Sequence, residues 1–186
     1  MPITALESRT ALVLVDLQKG ITAFGSAREP VRVEDVQTHA APLVTAFRAH
    51  GLPVVPGKPP GRMEKGFPLR DLPPDRAETD PAHAPRSGDH RVAKRTPDAF
   101  TDTTLEGQLR ARQGTQLVPG GISTSMGVEA TRRQDYELGF GTTFATNAMT
   151  DMDAVSHKNA MTRIFPVTGQ TGSSTGILAH LPPLWG

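Results

Sequence analysis

The sequence predicts a three-layer α/β protein, in which helices cover both faces of a mostly parallel sheet of five to six strands. Apolar, β-branched runs alternate along the chain with stretches whose apolar residues recur at helical spacing. The first run, TALVLVD at 10–16, is almost continuously apolar, which is typical of a strand buried on both faces of a parallel sheet. The chain of 186 residues has the length of one domain, so we expect residues 1–186 to share one core.

The other elements follow this strand in regular alternation. Apolar residues at helical spacing predict a helix over 32–50, which Gly51 ends. Short strands are predicted at 53–56, 90–95, 115–120 and 142–146, and further helices around 105–109 and at 125–138, 153–164 and 173–181. Between Gly57 and Gly88, seven prolines and little periodicity predict a long surface loop.

Composition excludes several classes of function. The formal net charge of +1 is too balanced for a nucleic-acid-binding protein. The chain has no cysteine, which excludes disulfides, thiolate metal sites and a thiol nucleophile. The apolar run Ala11–Val15 is too short to span a membrane, and no basic segment precedes it as in a signal peptide. We therefore expect a cytoplasmic protein that binds neither nucleic acid nor membranes.

Three residues are predicted to meet at the carboxyl edge of the sheet, where parallel α/β sheets bind their ligands. Asp16 ends the first strand, Lys94 ends the third, and Gly127 follows the fourth. Each has an ordinary explanation on its own: a turn-capping carboxylate, a solvated charge and a turn glycine. Together they favour a functional site, because a buried carboxylate beside an ammonium group is costly unless the pair has a function.

Four segments of the chain, in this order, form a specific pattern: VLVDLQKG at 13–20, HRVAKRTPDAF at 90–100, LVPGGISTSMGVEATRR at 117–133 and NAMTD at 147–151. They resemble the isochorismatase-like hydrolase superfamily. The resemblance implies a Rossmann-like fold and a catalytic set of Asp, Lys and usually Cys. Asp16 matches the Asp, Lys94 matches the Lys, and Gly127 stands at the position of the Cys. It also implies a non-proline cis peptide near Ile122–Ser123.

Gly127 is a departure from this pattern. The amidases of the superfamily form a covalent thioester, which this chain cannot make. True isochorismatases also lack the cysteine, and the resemblance implies that their Asp donates a proton to a vinyl ether. Their first motif, however, reads His-Asp-Met-Gln, whereas Val15 precedes Asp16 here. The glycine alone therefore does not assign isochorismate as the substrate.

The turn before Gly127 carries three hydroxyl groups, on Ser123, Thr124 and Ser125. A serine nucleophile needs a base within hydrogen-bond reach and an oxyanion hole. Residues one or two positions away along a turn point elsewhere, so we interpret these hydroxyls as caps of the following helix. A serine nucleophile stays open as an alternative.

Other residues are assigned to substrate binding or kept out of the site. Substrate binding is assigned to Gln18, Phe24, Ile122, Ser123 and Met126. No cofactor or metal is expected, because PGKPPGR at 56–62 replaces the Asp-x-His motif of nicotinamidases and the histidines lack metal-ligand spacing. His157, on a predicted helix, is interpreted as a packing or exposed residue. Arg86, Arg91, Lys94 and Arg95 cluster in the sequence and would steer an anionic substrate, but a solvated basic edge explains the three arginines equally well.

Two functions follow from these observations. The first is hydrolysis of a small, anionic or neutral metabolite through Asp16 and Lys94 without covalent catalysis. The alternative is a catalytically silent member of the superfamily that binds a metabolite or a partner protein. Asn147 favours the alternative, because the superfamily usually has Asp there, whereas the presence of both Asp16 and Lys94 favours the first. Members of the superfamily usually associate, so a homodimer or larger homo-oligomer is expected.

Overall fold

The structure, a computed structural model, describes residues 1–22, 30–58, 75 and 78–181. Its strands are β1 (Thr10–Val15), β2 (Val54–Lys58), β3 (Val92–Ala93), β4 (Gln116–Ile122), β5 (Gly141–Ala145), β6 (Met149–Thr150) and β7 (Gln170–Gly172). Its helices are α1 (Lys19–Thr22), α2 (Val33–Ala49), α3 (Leu105–Ala111), α4 (Glu129–Glu137), α5 (Ala154–Asn159), α6 (Phe165–Thr168) and α7 (Ser174–Ala179). Much of the predicted 57–88 loop lies outside the described residues.

The strands form one parallel sheet in the order β3-β2-β1-β4-β5-β7, which confirms the predicted α/β class. The seventh strand, β6, pairs with the carboxyl end of β4, whereas β5 pairs with its amino end. The chain runs outward from β1 to β3 and then crosses to β4 on the other side of β1. The crevice between β1 and β4 is therefore the topological switch point, where such sheets bind ligands.

Two apolar cores cover the two faces of the sheet, because alternate residues of each strand point to opposite faces. Leu12 and Leu14 of β1 pack with Val36, Leu43 and the other buried residues of α2. Val13 and Val15 pack on the opposite face, where the core includes residues of α3 and α6. β1 ends at Val15, and Asp16 follows it at the carboxyl edge of the sheet, between the two apolar cores.

Two predicted elements were wrong in extent. The helix predicted over 153–164 is divided into α5, a π-helical turn at Ala160–Ile164 and α6. Pro166 explains the break, because it lacks the N–H that would continue the α-helical hydrogen bonds. The strand predicted at 90–95 shortens to β3, an edge strand that pairs with β2 through only two residues. The short strands β6 and β7 were not predicted.

Candidate active site

A buried ion pair lies at the carboxyl edge of the sheet. Asp16 follows β1, and Lys94 follows β3 at the edge of the sheet, with β2 between the two strands. The Lys94 Nζ atom lies 2.8 Å from Asp16 Oδ2, although 78 positions separate the residues. The lysine side chain is 2% exposed and the aspartate side chain 15% exposed. The structure thus brings together the two residues that the sequence assigned to this edge.

All three donors of the Lys94 ammonium group have acceptors. Besides Asp16 Oδ2, Nζ donates to the carbonyl oxygen of Pro97 at 2.9 Å and of Thr96 at 3.4 Å. An ammonium group has three N–H donors, so none is left for another ligand in this state. Lys94 is therefore a fixed charge beside Asp16 and not a mobile arm.

Asp98 orders the loop that supplies these two carbonyl groups. Its Oδ1 accepts the backbone N–H groups of Phe100 at 2.8 Å and Thr101 at 2.7 Å. Its Oδ2 accepts the Thr96 hydroxyl at 2.9 Å. Burial opposes ionisation of Asp98, but these hydrogen bonds outweigh it and lower its pKa below the usual value. The ionised side chain holds the loop in the shape that Lys94 requires.

Asp16 has the opposite electrostatic environment. Burial raises its pKa above the usual value, and the charge and hydrogen bond of Lys94 reduce that rise without cancelling it. Its second carboxyl oxygen, Oδ1, is buried and has no hydrogen-bond partner among the residues that the structure describes. The side chain is therefore half satisfied: Oδ2 is held by Lys94, and Oδ1 is available to a ligand or to a proton.

Gly121 brings the end of β4 against the end of β1. Gly121 has a φ of 118°, and a Cβ atom there would lie 2.0 Å from the carbonyl oxygen of Val15. Only glycine accepts both this backbone conformation and this contact. The peptide bond between Ile122 and Ser123 is cis, as the resemblance implied. A π-helical turn at Thr124–Val128 then leads into α4.

Gly127 lies in that turn, close to a neighbour of each member of the ion pair. A Cβ atom at Gly127 would lie 2.6 Å from Cγ1 of Val15 and 3.4 Å from the carbonyl oxygen of Pro97. Val15 precedes Asp16, and the Pro97 carbonyl accepts a hydrogen bond from Lys94. Gly127 therefore lies next to residues that adjoin the Asp–Lys pair, and Val15 occupies part of the space that a side chain at position 127 would need.

Thr131, in α4, connects the turn to the loop after Lys94. Its hydroxyl donates to the carbonyl oxygen of Gly127 at 2.7 Å and accepts the backbone N–H of Ala99 at 3.1 Å. The residue is buried. One side chain thus fixes the distance between the turn and the loop that carries the acceptors of Lys94.

A second set of contacts, which the sequence did not predict, holds the other side of the turn. Asp151 Oδ2 accepts the backbone N–H of Ser125 at 2.6 Å. Thr124 Oγ1 lies 2.9 Å from His157 Nδ1 and 3.0 Å from the carbonyl oxygen of Thr150. His157 is buried and hydrogen-bonded, so its interpretation as packing or exposed missed its contact with the turn. The NAMTD segment was the only sequence feature pointing to this region.

The residues assigned to substrate binding have different surroundings. Gln18 is buried, and its Oε1 has no hydrogen-bond partner in the described ranges. The side chain of Ile122 packs in the core with Leu12 and Leu14, so only its backbone can face a ligand. Ser123 is half-buried, and Met126 is 43% exposed. Phe24 lies outside the described residues.

The described ranges hold no group of three or more His, Cys, Asp or Glu side chains that could bind a metal ion. Within those ranges, the helices are also too short or too polar to cross a membrane. The site offers one carboxyl group that can donate or accept a proton, one fixed positive charge and the backbone groups of the turn at Thr124–Val128.

The sequence profile of the isochorismatase domain matches residues 10–175, a range that includes the whole of this site. The chain belongs to the isochorismatase family. It is 34% identical over 184 residues to an uncharacterized isochorismatase family protein, YecD, from Escherichia coli O157:H7, covering 92% of this chain and 96% of the relative. The family thus accounts for nearly the full length of the sequence.

Solved structures agree with this membership. An isochorismatase family protein from Burkholderia thailandensis superimposes with a TM-score of 0.86 at 32% identity, covering 95% of this chain and 97% of the other. Nicotinamidase PncA from Bacillus subtilis superimposes with a TM-score of 0.75 at 23% identity, covering 89% of this chain and 99% of that one. The second similarity is one of fold. Family membership establishes the isochorismatase-like hydrolase fold, and the chemistry of the site has to be inferred from its residues.

Proposed function

We propose that this protein is a hydrolase that acts on a small metabolite by acid–base chemistry at Asp16, without a covalent enzyme intermediate. The observation that supports this proposal is the environment of Asp16. Burial raises the pKa of its carboxyl group, and Oδ1 is buried without a partner in the described part of the chain. A carboxyl group in such surroundings carries a proton at pH values where ordinary aspartates are ionised, and can donate it to a substrate.

Lys94 stabilises the product of that proton transfer. When Asp16 gives up its proton, a carboxylate forms 2.8 Å from an ammonium group whose other donors are already occupied. The positive charge is in place before the reaction, so no reorganisation is needed as negative charge develops. Lys94 therefore favours release of the proton, while burial favours its retention in the free enzyme.

The proton balance needs no enzyme nucleophile. For a vinyl ether, Asp16 donates its proton to the terminal alkene carbon, which leaves a positive charge shared by the ether oxygen and its carbon atom. Water adds to that carbon atom, the proton that the water loses restores the Asp16 carboxyl group, and the resulting hemiketal breaks into an alcohol and a carbonyl compound. A glycine at position 127 is compatible with this sequence of steps, because no bond to the protein forms.

The alternative, a silent binding protein, was favoured by Asn147. Its Oδ1 accepts both the backbone N–H of Ser174, at 2.7 Å, and the Ser174 hydroxyl, at 2.9 Å, next to the start of α7. These contacts need an acceptor oxygen, which asparagine supplies as well as aspartate does. Asn147 therefore has a structural role, and its presence does not weigh against catalysis.

The test is to compare the protein with its Asp16→Asn variant on a panel of small vinyl ethers, esters and amides. We expect turnover of at least one substrate, reduced by about 10²–10⁴-fold in Asp16→Asn, because a positioned acid contributes on that scale. Asp35→Asn is the matched control, since Asp35 forms an exposed pair with Arg32 far from the site in sequence. Undiminished turnover in a folded Asp16→Asn variant would contradict the proposal.

Intact-mass measurement during turnover separates this mechanism from a hydroxyl nucleophile. We expect only the mass of the unmodified chain, because the chain has no thiol and the Thr124 hydroxyl is buried. A covalent adduct that maps to Ser123, Thr124 or Ser125 would replace the proposal with the serine or threonine alternative. The absence of turnover on the whole panel, with binding of one of its members, would favour the silent binding protein.

A further inference from the structure

Thr124 is the first residue of the π-helical turn, and its hydroxyl group has two polar neighbours. Oγ1 lies 3.0 Å from the carbonyl oxygen of Thr150, in β6, and 2.9 Å from Nδ1 of His157, in α5. Thr124 and Thr150 are fully buried and His157 nearly so. The hydroxyl group has one hydrogen atom, so it can donate to only one of these neighbours.

The two possible arrangements differ in energy. If Thr124 donates to His157, the lone pairs of Oγ1 and of the Thr150 carbonyl oxygen face each other at 3.0 Å in a buried place. If Thr124 donates to Thr150, then His157 donates its Nδ1–H to Oγ1, and both contacts are hydrogen bonds. Two buried acceptor oxygens in contact with no proton between them repel each other. The arrangement in which Thr124 donates to Thr150 is therefore the stable one.

The protonation of the imidazole ring agrees with this assignment. Burial lowers the pKa of His157, and the charge of Asp151 opposes that change without cancelling it. The ring is therefore neutral at neutral pH and carries one proton. With that proton on Nδ1, the lone pair is on Nε2, and the tautomer is set by Thr124.

We propose that Thr124 and His157 are positioning residues, whose chain of two hydrogen bonds, from His157 Nδ1–H to Thr124 and from Thr124 to the Thr150 carbonyl, holds the turn that carries Gly127. The inference rests on the proposed function only in assuming that the reaction takes place beside Gly127. The chain ties the turn to β6 and α5, while Asp151 holds the next residue by accepting the Ser125 N–H. Thr124 is thereby excluded as a nucleophile, because its proton points to a carbonyl oxygen and not to a base.

The turn needs such ties because its own structure is weak. It is π-helical over Thr124–Val128 and includes Gly127, the residue type that loses most backbone entropy on ordering. Thr131 holds the Gly127 carbonyl from the side of α4. The His157–Thr124 chain holds the turn from the opposite side, so that Gly127 is fixed between the two.

The first test reads the tautomer directly in the unmodified protein. Long-range ¹H–¹⁵N correlation spectra of a sample labelled at histidine distinguish a protonated from an unprotonated ring nitrogen. At pH values above the His157 pKa, we expect its Nδ1 to resonate as a protonated nitrogen and its Nε2 as an unprotonated one. The reverse assignment would overturn the inference and would make Thr124 the donor to a histidine base.

The second test measures hydrogen exchange of the backbone amides of residues 123–128 in single variants. Thr124→Val removes both hydrogen bonds and His157→Leu removes the one from His157 to Thr124, and in each variant we expect exchange to become at least about tenfold faster, as for loss of one buried hydrogen bond. His157→Asn places an amide N–H₂ where Nδ1–H was, so its exchange should stay within about threefold of the native rate. This rescue separates a positioning contact from simple packing.

His180→Leu is the control variant, because His180 Nδ1 makes an ordinary contact, 2.8 Å from the Gly176 carbonyl oxygen of α7. It should leave exchange in the turn unchanged. Equal exchange rates in Thr124→Val and in the native protein would overturn the inference. Because valine has nearly the shape of threonine, Thr124→Val still decides the test if His157→Leu does not fold. Neither measurement requires turnover, so failure of this inference and failure of the proposed reaction are distinguishable.

Discussion

At the scale of single residues, Asp16 is constrained by its backbone as well as by Lys94. Its φ of 52° lies in the left-handed region, which aspartate tolerates better than most residues but still at some cost. This conformation turns the chain sharply after β1 and directs the side chain toward Lys94. Strain, burial and an oxygen with no partner among the described residues thus occur together at Asp16, which is the pattern expected where a carboxyl group is held for chemistry.

The proton-donor role of Asp16 predicts the direction of the pH dependence. Because the acid must be protonated to act, kcat/KM should fall as pH rises through the Asp16 pKa, which burial places above the usual value. Lys94→Met removes the charge that lowers this pKa, so the fall should move to higher pH. The measurement is kcat/KM against pH for both proteins. A rate that rises through this pKa would identify Asp16 as a base.

Gly127 predicts a steric coupling to Val15. In Gly127→Ala the new methyl group would meet Val15 Cγ1 at 2.6 Å, and relief of that overlap should cost about 1–3 kcal/mol of unfolding free energy. Val15→Ala removes the obstructing methyl group, so the double variant should be more stable than the sum of the two single changes. Urea unfolding of the four proteins measures this coupling.

Gly107→Ala, in α3, is the matched control for that experiment. A Cβ atom there has no neighbour within 4 Å, so the change should raise the unfolding free energy by about 0.5–1 kcal/mol through helix propensity. Strict additivity of the Val15 and Gly127 variants would show that the turn shifts freely. The position would then be a glycine for a reason other than space.

At the scale of elements, α4 is anchored by a buried ion pair. Arg132 donates to Asp135 Oδ1 and, at 2.8 Å, to the Thr142 hydroxyl of β5, which itself donates to Asp135 Oδ2 at 3.0 Å. Arg132 also donates to the carbonyl oxygen of Thr168, in α6. This cluster ties the helix that follows the turn to β5 and α6, and so holds the Gly127 turn from its far end.

Asp135→Ala is predicted to destabilise the protein strongly. It leaves the Arg132 guanidinium buried without its counter-charge, and loss of one partner of a buried pair costs about 3–5 kcal/mol. The measurement is the unfolding free energy from urea titration. Glu137→Ala, an exposed change on the same helix, should have little effect. A change of similar size in both variants would show that helix propensity matters more than the ion pair.

Strong periodic patterns explain which elements the sequence could predict. The continuous run of β1 and the apolar stripe of α2 predicted both elements within one or two residues. The resemblance predicted the cis peptide at Ile122–Ser123, and the positions of Asp16 and Lys94 at the ends of predicted strands predicted that they meet at the edge of the sheet. Strands of two or three residues, such as β6 and β7, are too short to show periodicity. The contacts of Thr124 with His157 depend on how those short strands place α5, and no local pattern encodes them.

At the scale of the whole molecule, the turn and the segment that holds it carry exposed apolar side chains. Met126 in the turn is 43% exposed and Met152 is 40% exposed, and the Asp151 carboxylate links their two segments by accepting the Ser125 and Met152 N–H groups. Val155, at the start of α5, is 75% exposed. Flexible methionines are suited to a surface that packs against another molecule. The turn and the start of α5 therefore carry exposed apolar side chains.

This arrangement supports the prediction that the chain forms a homodimer or a larger symmetric oligomer. Most soluble oligomers are symmetric. In a two-fold dimer the same patch of both copies is in contact, so the exposed apolar side chains of both copies would be buried. We expect light scattering to give a mass of at least twice 19.9 kDa. Val155→Asp should shift the mass toward the single chain, because a carboxylate at an apolar interface would lose its hydration. Val167→Asp, at a similarly exposed valine in α6, should not. A single species of 19.9 kDa at working concentration would contradict the prediction, and equal effects of both variants would place the interface elsewhere.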